Sequence, residues 1–171
     1  TQDELKKQVA KAAIEYVKDG IIGVGTGSTA NFFIDELAKV KHKIDGAVAS
    51  SEATAQRLRN HGIEVFDLNA VPGMEIYVDG ADEITPNMTL LKGRGYDLVL
   101  EKLLAKAAKQ FIVVADQSKL VERIGTNFAI PIEVMPFAWK TAKLNLEAAG
   151  GVGDLRQNVA KDGLCITSHG S

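Results

Sequence analysis

Residues 21–29 read IIGVGTGST. The apolar run suits a short buried strand, and it gives way at once to a glycine-rich turn. A helical pattern, STANFFIDELAKVK, then runs from Ser28 to Lys41. Strand, glycine turn and helix form half of a βαβ unit, and the pattern recurs on both sides. Upstream, residues 3–18 set Leu5, Val9, Ala12, Ala13, Tyr16 and Val17 on one helical stripe, with Asp3 placed to cap it and Gly20 to end it. Downstream, GAVAS (46–50) and IEVF (63–66) are strand-like, and SEATAQRLRNHG between them reads as a helix closed by Gly62. EIYVD (75–79) is a further strand, LVLEKLLAKAAKQ (98–110) a helix, and FIVVAD (111–116) a strand. This alternation predicts an α/β fold with a mostly parallel sheet covered by helices on both faces.

The pattern changes near residue 126. GTNFAIPIEVMP carries two prolines and a strand-like run at Ile130–Val134; FAWKTAKLNLEAAGG reads as a helix ending at Gly150–Gly151, and the remaining residues, 152–171, have weak periodicity. The expectation is a main domain over 1–127 and a small α+β unit over 128–171 that the chain does not finish.

The chain has 171 residues and a formal net charge of −2. That balance offers no basic field for nucleic acid or an anionic membrane, so an anionic ligand must be held by a local site. Cys165 is the single cysteine, which points to a reducing compartment. The polar, helical opening TQDELKKQ is unlike a signal peptide, and no apolar run approaches the ~20 residues of a membrane span. The cytoplasm is the expected location. His42, His61 and His169 lie in polar contexts outside the glycine-rich and acidic stretches and are given no role.

Ligands of open parallel sheets bind beyond the carboxyl ends of the strands, and three stretches fall there. In GVGTGST (23–29), Gly25 and Gly27 allow close backbone approach, the helix start offers free N–H groups to a phosphate, and Thr26, Ser28 and Thr29 add hydroxyls. It is neither a Walker A loop nor a dinucleotide fingerprint, and a plain capped βα turn is the alternative. In VDGADEI (78–84), Gly80 lets the chain turn so that Asp79 and Asp82 face the crevice, with Glu83 starting the next segment. These carboxylates suit a solvated turn, a Mg²⁺ site or acceptors for sugar hydroxyls, and spacing does not choose among the three. In LKGRGYDLVLEK (91–102), Lys92 beside Gly93 and Gly95 presents an ammonium to an anionic oxygen. Glu101 there, and Lys119 in ADQSKL (115–120), read singly as surface residues.

Taken together, GVGTGST, YVDGADEI, KGRG…LEK and VADQSK, in this order and spacing, resemble the type A family of ribose-5-phosphate isomerases, from TQDELKK to about residue 150. The resemblance implies a Rossmann-like three-layer α/β/α domain with a smaller α+β lid, assembled as a homodimer or homotetramer. It implies a cytoplasmic aldose–ketose isomerase of the pentose phosphate pathway acting on a sugar phosphate, without metal or cofactor and without nucleic-acid or membrane partners. By position, Thr26, Gly27, Ser28 and Thr29 line the substrate; Asp79, Gly80, Ala81 and Asp82 form a second wall; and Lys92, Gly93, Arg94 and Gly95 form a third. Glu101 matches the proton acceptor and Lys119 a further substrate contact. Asp79 and Asp82 would accept hydrogen bonds from the sugar hydroxyls, one of them shuttling a proton, and Lys92 would stabilise an oxyanion.

The third wall departs from the family's run of small residues: Arg94, Tyr96 and Asp97 are bulky or charged, and Leu100 stands where Arg usually precedes the glutamate. Crowding there is the expected consequence. A sugar-phosphate sensor without turnover and a Mg²⁺-dependent phosphatase using Asp79 and Asp82 are the competing functions.

Overall fold

The computed structural model describes residues 1–171. Along the chain come α1 (Gln2–Ala13), β1 (Ile21–Val24), α2 (Ser28–Ala38), β2 (Gly46–Ala49), α3 (Glu52–Asn60), β3 (Met74–Asp79), β4 (Glu83–Ile84), β5 (Leu90–Leu91), α4 (Leu98–Ala107), β6 (Ala108–Val113) and α5 (Trp139–Ala148). Two units divide them, Thr1–Ile130 and Pro131–Ser171. No helix is long and apolar enough to cross a membrane.

In the first unit a sheet of order β2-β1-β3-β6 is parallel throughout, while β4 and β5 pair antiparallel in a separate ribbon. The chain goes outward from β1 to β2, then crosses β1 to reach β3 and β6. Strand order therefore reverses between β1 and β3, the switch point where sheets of this kind take their ligands.

Ile22, Val24, Ile76 and Val78 pack on Ala10, Ala13, Phe33, Ile34, Leu37 and Leu58, which join α1, α2 and α3 to one face of the sheet. Full burial of each larger side chain among these contributes ~1.5–3 kcal/mol. Tyr77 and Val48 pack with Met74 and Leu104 in a second cluster, against α4. Alternation along β3 thus gives Ile76 and Val78 to one layer and Tyr77, with Asp79 two residues on, to the other.

Local chemistry sets the helix starts. Thr1, not Asp3, caps α1, in a reciprocal capping box with Glu4. Ser51 caps α3 by accepting the Thr54 N–H at 3.2 Å. Gly27 starts α2 with φ 120°, a conformation left to glycine.

Three differences from the sequence expectation have physical causes. The helical pattern read through residue 110 stops at Ala107, because Ala108 and Gln110 pair with Met74 and Ile76 of β3 and sheet pairing outweighs local propensity. The IEVF segment makes one bridge, Val65 to Ala47, at the sheet edge. Residues 130–134 form no strand: no neighbouring segment pairs with them.

In the second unit, α5 ends in a glycine turn, where Gly150 takes φ 91° and the Gly151 N–H reaches Leu146 O at 2.8 Å. Gln157 and Leu164 then form an antiparallel bridge. None of residues 131–171 is buried.

Candidate active site

The end of β1 and the end of β3 touch. Gly25 donates its N–H to Val78 O at 2.8 Å, and a Cβ on Gly25 would fall 1.9 Å from Asp79 Cγ. Only a glycine lets the two strand ends approach this closely. A Cβ on Gly80 would in turn stand 4.0 Å from Thr29 Cβ, so the acidic turn after β3 faces the first residues of α2.

The three clustered carboxylates have three different environments. Asp79 is fully buried. Its Oδ1 accepts the Gly80 N–H at 2.7 Å, and its Oδ2 accepts both the Tyr77 hydroxyl and Lys92 Nζ, the latter at 2.9 Å. Asp82 is half-buried, and its Oδ2 receives the Arg94 N–H at 3.4 Å. Glu83 is fully buried but points away from Lys92, accepting the Gly125 N–H at 2.7 Å and the Asn127 N–H at 2.9 Å.

Lys92 joins these residues to α4. Its ammonium donates to Asp79 Oδ2 and, at 2.7 Å, to Gly80 O, and lies 3.1 Å from Glu101 Oε2. That last contact is an ion pair, and Glu101 Oε2 accepts no hydrogen bond. Glu101, in the first turn of α4, is only 4% exposed. The resemblance alone marked it, since a glutamate in a lysine-flanked helix reads as surface; the packing of α4 on the sheet buries it.

The electrostatics follow from burial. Glu101 is pushed up to about 7, first by desolvation; the Lys92 charge pulls the other way, while Asp79 and Asp97 add to the rise. Burial opposes the charge on Lys92, but Asp79 and Glu101 outweigh it and hold the ammonium above the usual lysine range. Burial, then the Asp79 charge, drives the Tyr77 phenol up, so it remains a donor.

The glycine-rich turn forms the other end. Thr26 Oγ1 is used internally, 2.7 Å from Ser50 Oγ and donating to Ser51 Oγ at 2.8 Å. Ser28 Oγ accepts Lys6 Nζ at 3.0 Å. Lys119 lies in the turn 117–119, whose cap, Asp116, accepts the Ser118 N–H at 2.9 Å. Hydrogen bonding from Ser118 holds the Asp116 carboxyl low, helped by the charges of Lys119 and Lys6. Lys6 of α1 thus meets the start of α2, and both it and Lys119 act on the Asp116 carboxyl. Lys6 carries no sequence signal that separates it from the neighbouring surface lysines.

In the third wall, Gly93 takes φ 96° and Tyr96 φ 70°. Arg94 is exposed, with its guanidinium 3.7 Å from the ring centroid of Phe128, an arrangement that engages it away from Lys92. Asp97 is buried at the start of α4, where its carbonyl accepts the Glu101 N–H at 2.9 Å. Nowhere do three or more His, Cys, Asp or Glu side chains gather in a cation-holding cluster. The Lys92 ammonium pairs with both the Asp79 and the Glu101 carboxylates.

Residues 46–171 match the family profile described as ribose 5-phosphate isomerase A (phosphoriboisomerase A). The chain belongs to this family. Solved structures agree over nearly its whole length. The ribose 5-phosphate isomerase A of Neisseria gonorrhoeae is 40% identical with a TM-score of 0.91, over 99% of this chain and 74% of that one. A D-ribose-5-phosphate isomerase in complex with phospho-erythronic acid is 39% identical, TM-score 0.93, over 99% and 76%. The ribose 5-phosphate isomerase A of Methanocaldococcus jannaschii is 35% identical, TM-score 0.92, over 99% and 77%. The similarity to solved type A isomerases thus includes the glycine-rich turn, which lies before the residues matched by the profile.

Proposed function

We propose that the chain is an aldose–ketose isomerase interconverting D-ribose 5-phosphate and D-ribulose 5-phosphate through an enediolate, with Glu101 as the proton acceptor. The observation that carries this reading is the Glu101 carboxylate, desolvated yet within 3.1 Å of the Lys92 ammonium.

Isomerisation breaks the C–H bond beside a carbonyl, leaves charge on the carbonyl oxygen, and returns a proton to the neighbouring carbon. Glu101 takes the proton from C2 of the open-chain aldose and delivers it to C1; hydroxyl and carbonyl exchange places, and no electron leaves the sugar. A base poised near neutrality suits this, and general base catalysis supplies ~10²–10⁴-fold. Lys92 is the cation nearest the developing enediolate and stabilises it. Asp79, with its oxygens already occupied, holds Lys92, whereas the half-exposed Asp82 is the acceptor for sugar hydroxyls. Ser28, Thr29, Lys6 and Lys119 seat the phosphate at the start of α2, where N–H groups and the helix dipole favour an anion. Gly27, Ala81, Gly93, Arg94 and Gly95 supply backbone walls. Phospho-erythronic acid, held by the relative, is a phosphorylated sugar acid whose planar carboxylate has the shape and charge of an enediolate, and it supports the same assignment. A cytoplasmic homodimer or homotetramer serving the pentose phosphate pathway completes the proposal and rests on family membership.

The test is conversion of ribose 5-phosphate to the ketose, with and without a chelator, by the parent chain and by Glu101→Gln. Turnover indifferent to chelator and lost in the variant, with sugar-phosphate binding retained, is the expected result. Normal turnover by Glu101→Gln removes the base assignment, and release of inorganic phosphate replaces the isomerase with a phosphatase.

A further inference from the structure

We propose that Tyr77 is a positioning residue for the proton-transfer site: its hydroxyl fixes Asp79 so that the Lys92 ammonium is shared with Glu101 and not captured by Asp79 alone. The inference rests on the isomerase reading and adds to it a residue that never touches substrate.

Tyr77 and Asp79 lie two apart on β3 and face the same layer. The tyrosine is fully buried, and its ring stacks on Phe111 with centroids 5.1 Å apart and planes 20° from parallel. Its surroundings are apolar: Val48, Met74 and Leu104. Phenylalanine would fill that volume without burying a hydroxyl. A buried phenol is costly unless bonded, and this one donates to Asp79 Oδ2, the oxygen that also receives Lys92.

Asp79 has no freedom to turn away. Gly80 N–H holds Oδ1, and Gly25 lies against the carboxylate. The groups that set the charge around Glu101 are Lys92 from the loop after β5, Asp79 and Tyr77 from β3, and Asp97 at the start of α4. Of these, only Tyr77 offsets the Asp79 charge without adding a charge of its own. Without the hydroxyl, Asp79 draws more of the ammonium to itself and presses harder on Glu101. Both effects raise the proton affinity of Glu101 and reduce the fraction of ionised base at neutral pH.

The experiment uses the full chain with Tyr77→Phe, which keeps the ring and its stacking. Turnover at pH 7 should fall ~5-fold, the loss of ionised base when a carboxyl near 7 rises by about one unit, with KM nearly unchanged. The acid limb of kcat/KM should move up by about one pH unit, and the Glu101 carboxyl, followed by ¹³C NMR in substrate-free protein, should titrate higher by the same amount. A second variant, Tyr77→3-fluorotyrosine, keeps the hydroxyl and makes it a stronger donor. Its Glu101 titration should move down, and it decides the matter if Tyr77→Phe fails to fold. A Glu101 titration unmoved in the folded variants, or a loss of Tm with an unchanged pH profile, overturns the proposal. If the parent chain shows no isomerase turnover, the function assigned above falls. The NMR titration, which needs no substrate, still decides the role of Tyr77.

Discussion

The Lys92 ammonium lies 3.1 Å from Glu101 Oε2 but directs its hydrogen bonds to Asp79 Oδ2 and Gly80 O. Glu101 is therefore paired with a cation whose hydrogen bonds are directed to other acceptors. With the carboxyl pushed up to about 7 by burial, kcat/KM should rise with pH through that value and flatten above it, because only the ionised form is a base. Initial rates between about pH 5 and 9 check this. A profile flat from the acid side through neutrality would mean that the base titrates elsewhere.

The same shift predicts a stability effect of defined sign. Glu101 holds its proton more tightly in the folded chain, near 7, than in the unfolded chain, near 4.5. Between those values the folded state binds more protons, so this residue's contribution weakens as pH rises through the window. Glu101→Gln removes the titration while Lys92 keeps Asp79 as its partner. The variant should gain ~2 kcal/mol more over the parent near pH 8 than near pH 5. Thermal unfolding at the two pH values measures it, and an equal change at both would refute the buried-acid account.

Lys92→Met should do the reverse. It leaves two buried carboxylates facing each other with no cation between them, at a cost of ~3–5 kcal/mol. Glu101 should then titrate higher still, and turnover should fall ~10²–10³-fold for want of the nearest positive charge on the enediolate. Denaturant unfolding and kcat, measured on the folded fraction, separate the two effects.

How far the sequence revealed the fold and the site can be judged residue by residue. The apolar pairs Ile22 with Val24 and Ile76 with Val78 announced a buried sheet, and Gly27 announced the start of α2. Parallel pairing then brought two strand ends together. What local pattern does not encode is which carboxylate faces which neighbour. Asp79, Asp82 and Glu83 look alike in VDGADEI, yet one meets Lys92, one the Arg94 N–H and one the backbone at 125 and 127. Glu101 looked like a surface residue until the resemblance singled it out. Lys6 has no local signal because its partner Ser28 lies across the fold, and Tyr77 reads as an ordinary strand aromatic although Asp79, two positions on, shares its face. Ala108–Gln110 carry a helical pattern but pair as strand for the complementary reason: propensity is local, whereas the pull of β3 is not.

Gly25 offers a direct test of the contact between strand ends. An added methyl would lie 1.9 Å from Asp79 Cγ, so the carboxylate or the turn must shift. Gly25→Ala should cost ~1–3 kcal/mol as overpacking and should lower kcat well beyond any change in the folded population. Gly73→Ala, at a position with nothing within 4 Å of the added carbon, is the control and should leave turnover as it was. Equal activity in the two variants would mean that the position of Asp79 does not matter to the chemistry.

Glu83 should separate structure from catalysis in the opposite direction. Its buried carboxylate accepts two backbone N–H groups, from Gly125 and Asn127, and so ties β4 to the loop after β6. Glu83→Gln keeps the volume but sets an NH₂ against an N–H, leaving buried donors unpaired at ~1–3 kcal/mol. The midpoint of urea unfolding should fall accordingly. The kcat of the remaining folded protein should stay near the parent value, since Glu83 bonds to none of Lys92, Asp79 or Glu101. Should kcat instead collapse while the midpoint holds, the third carboxylate of the cluster would have to be moved into the active site.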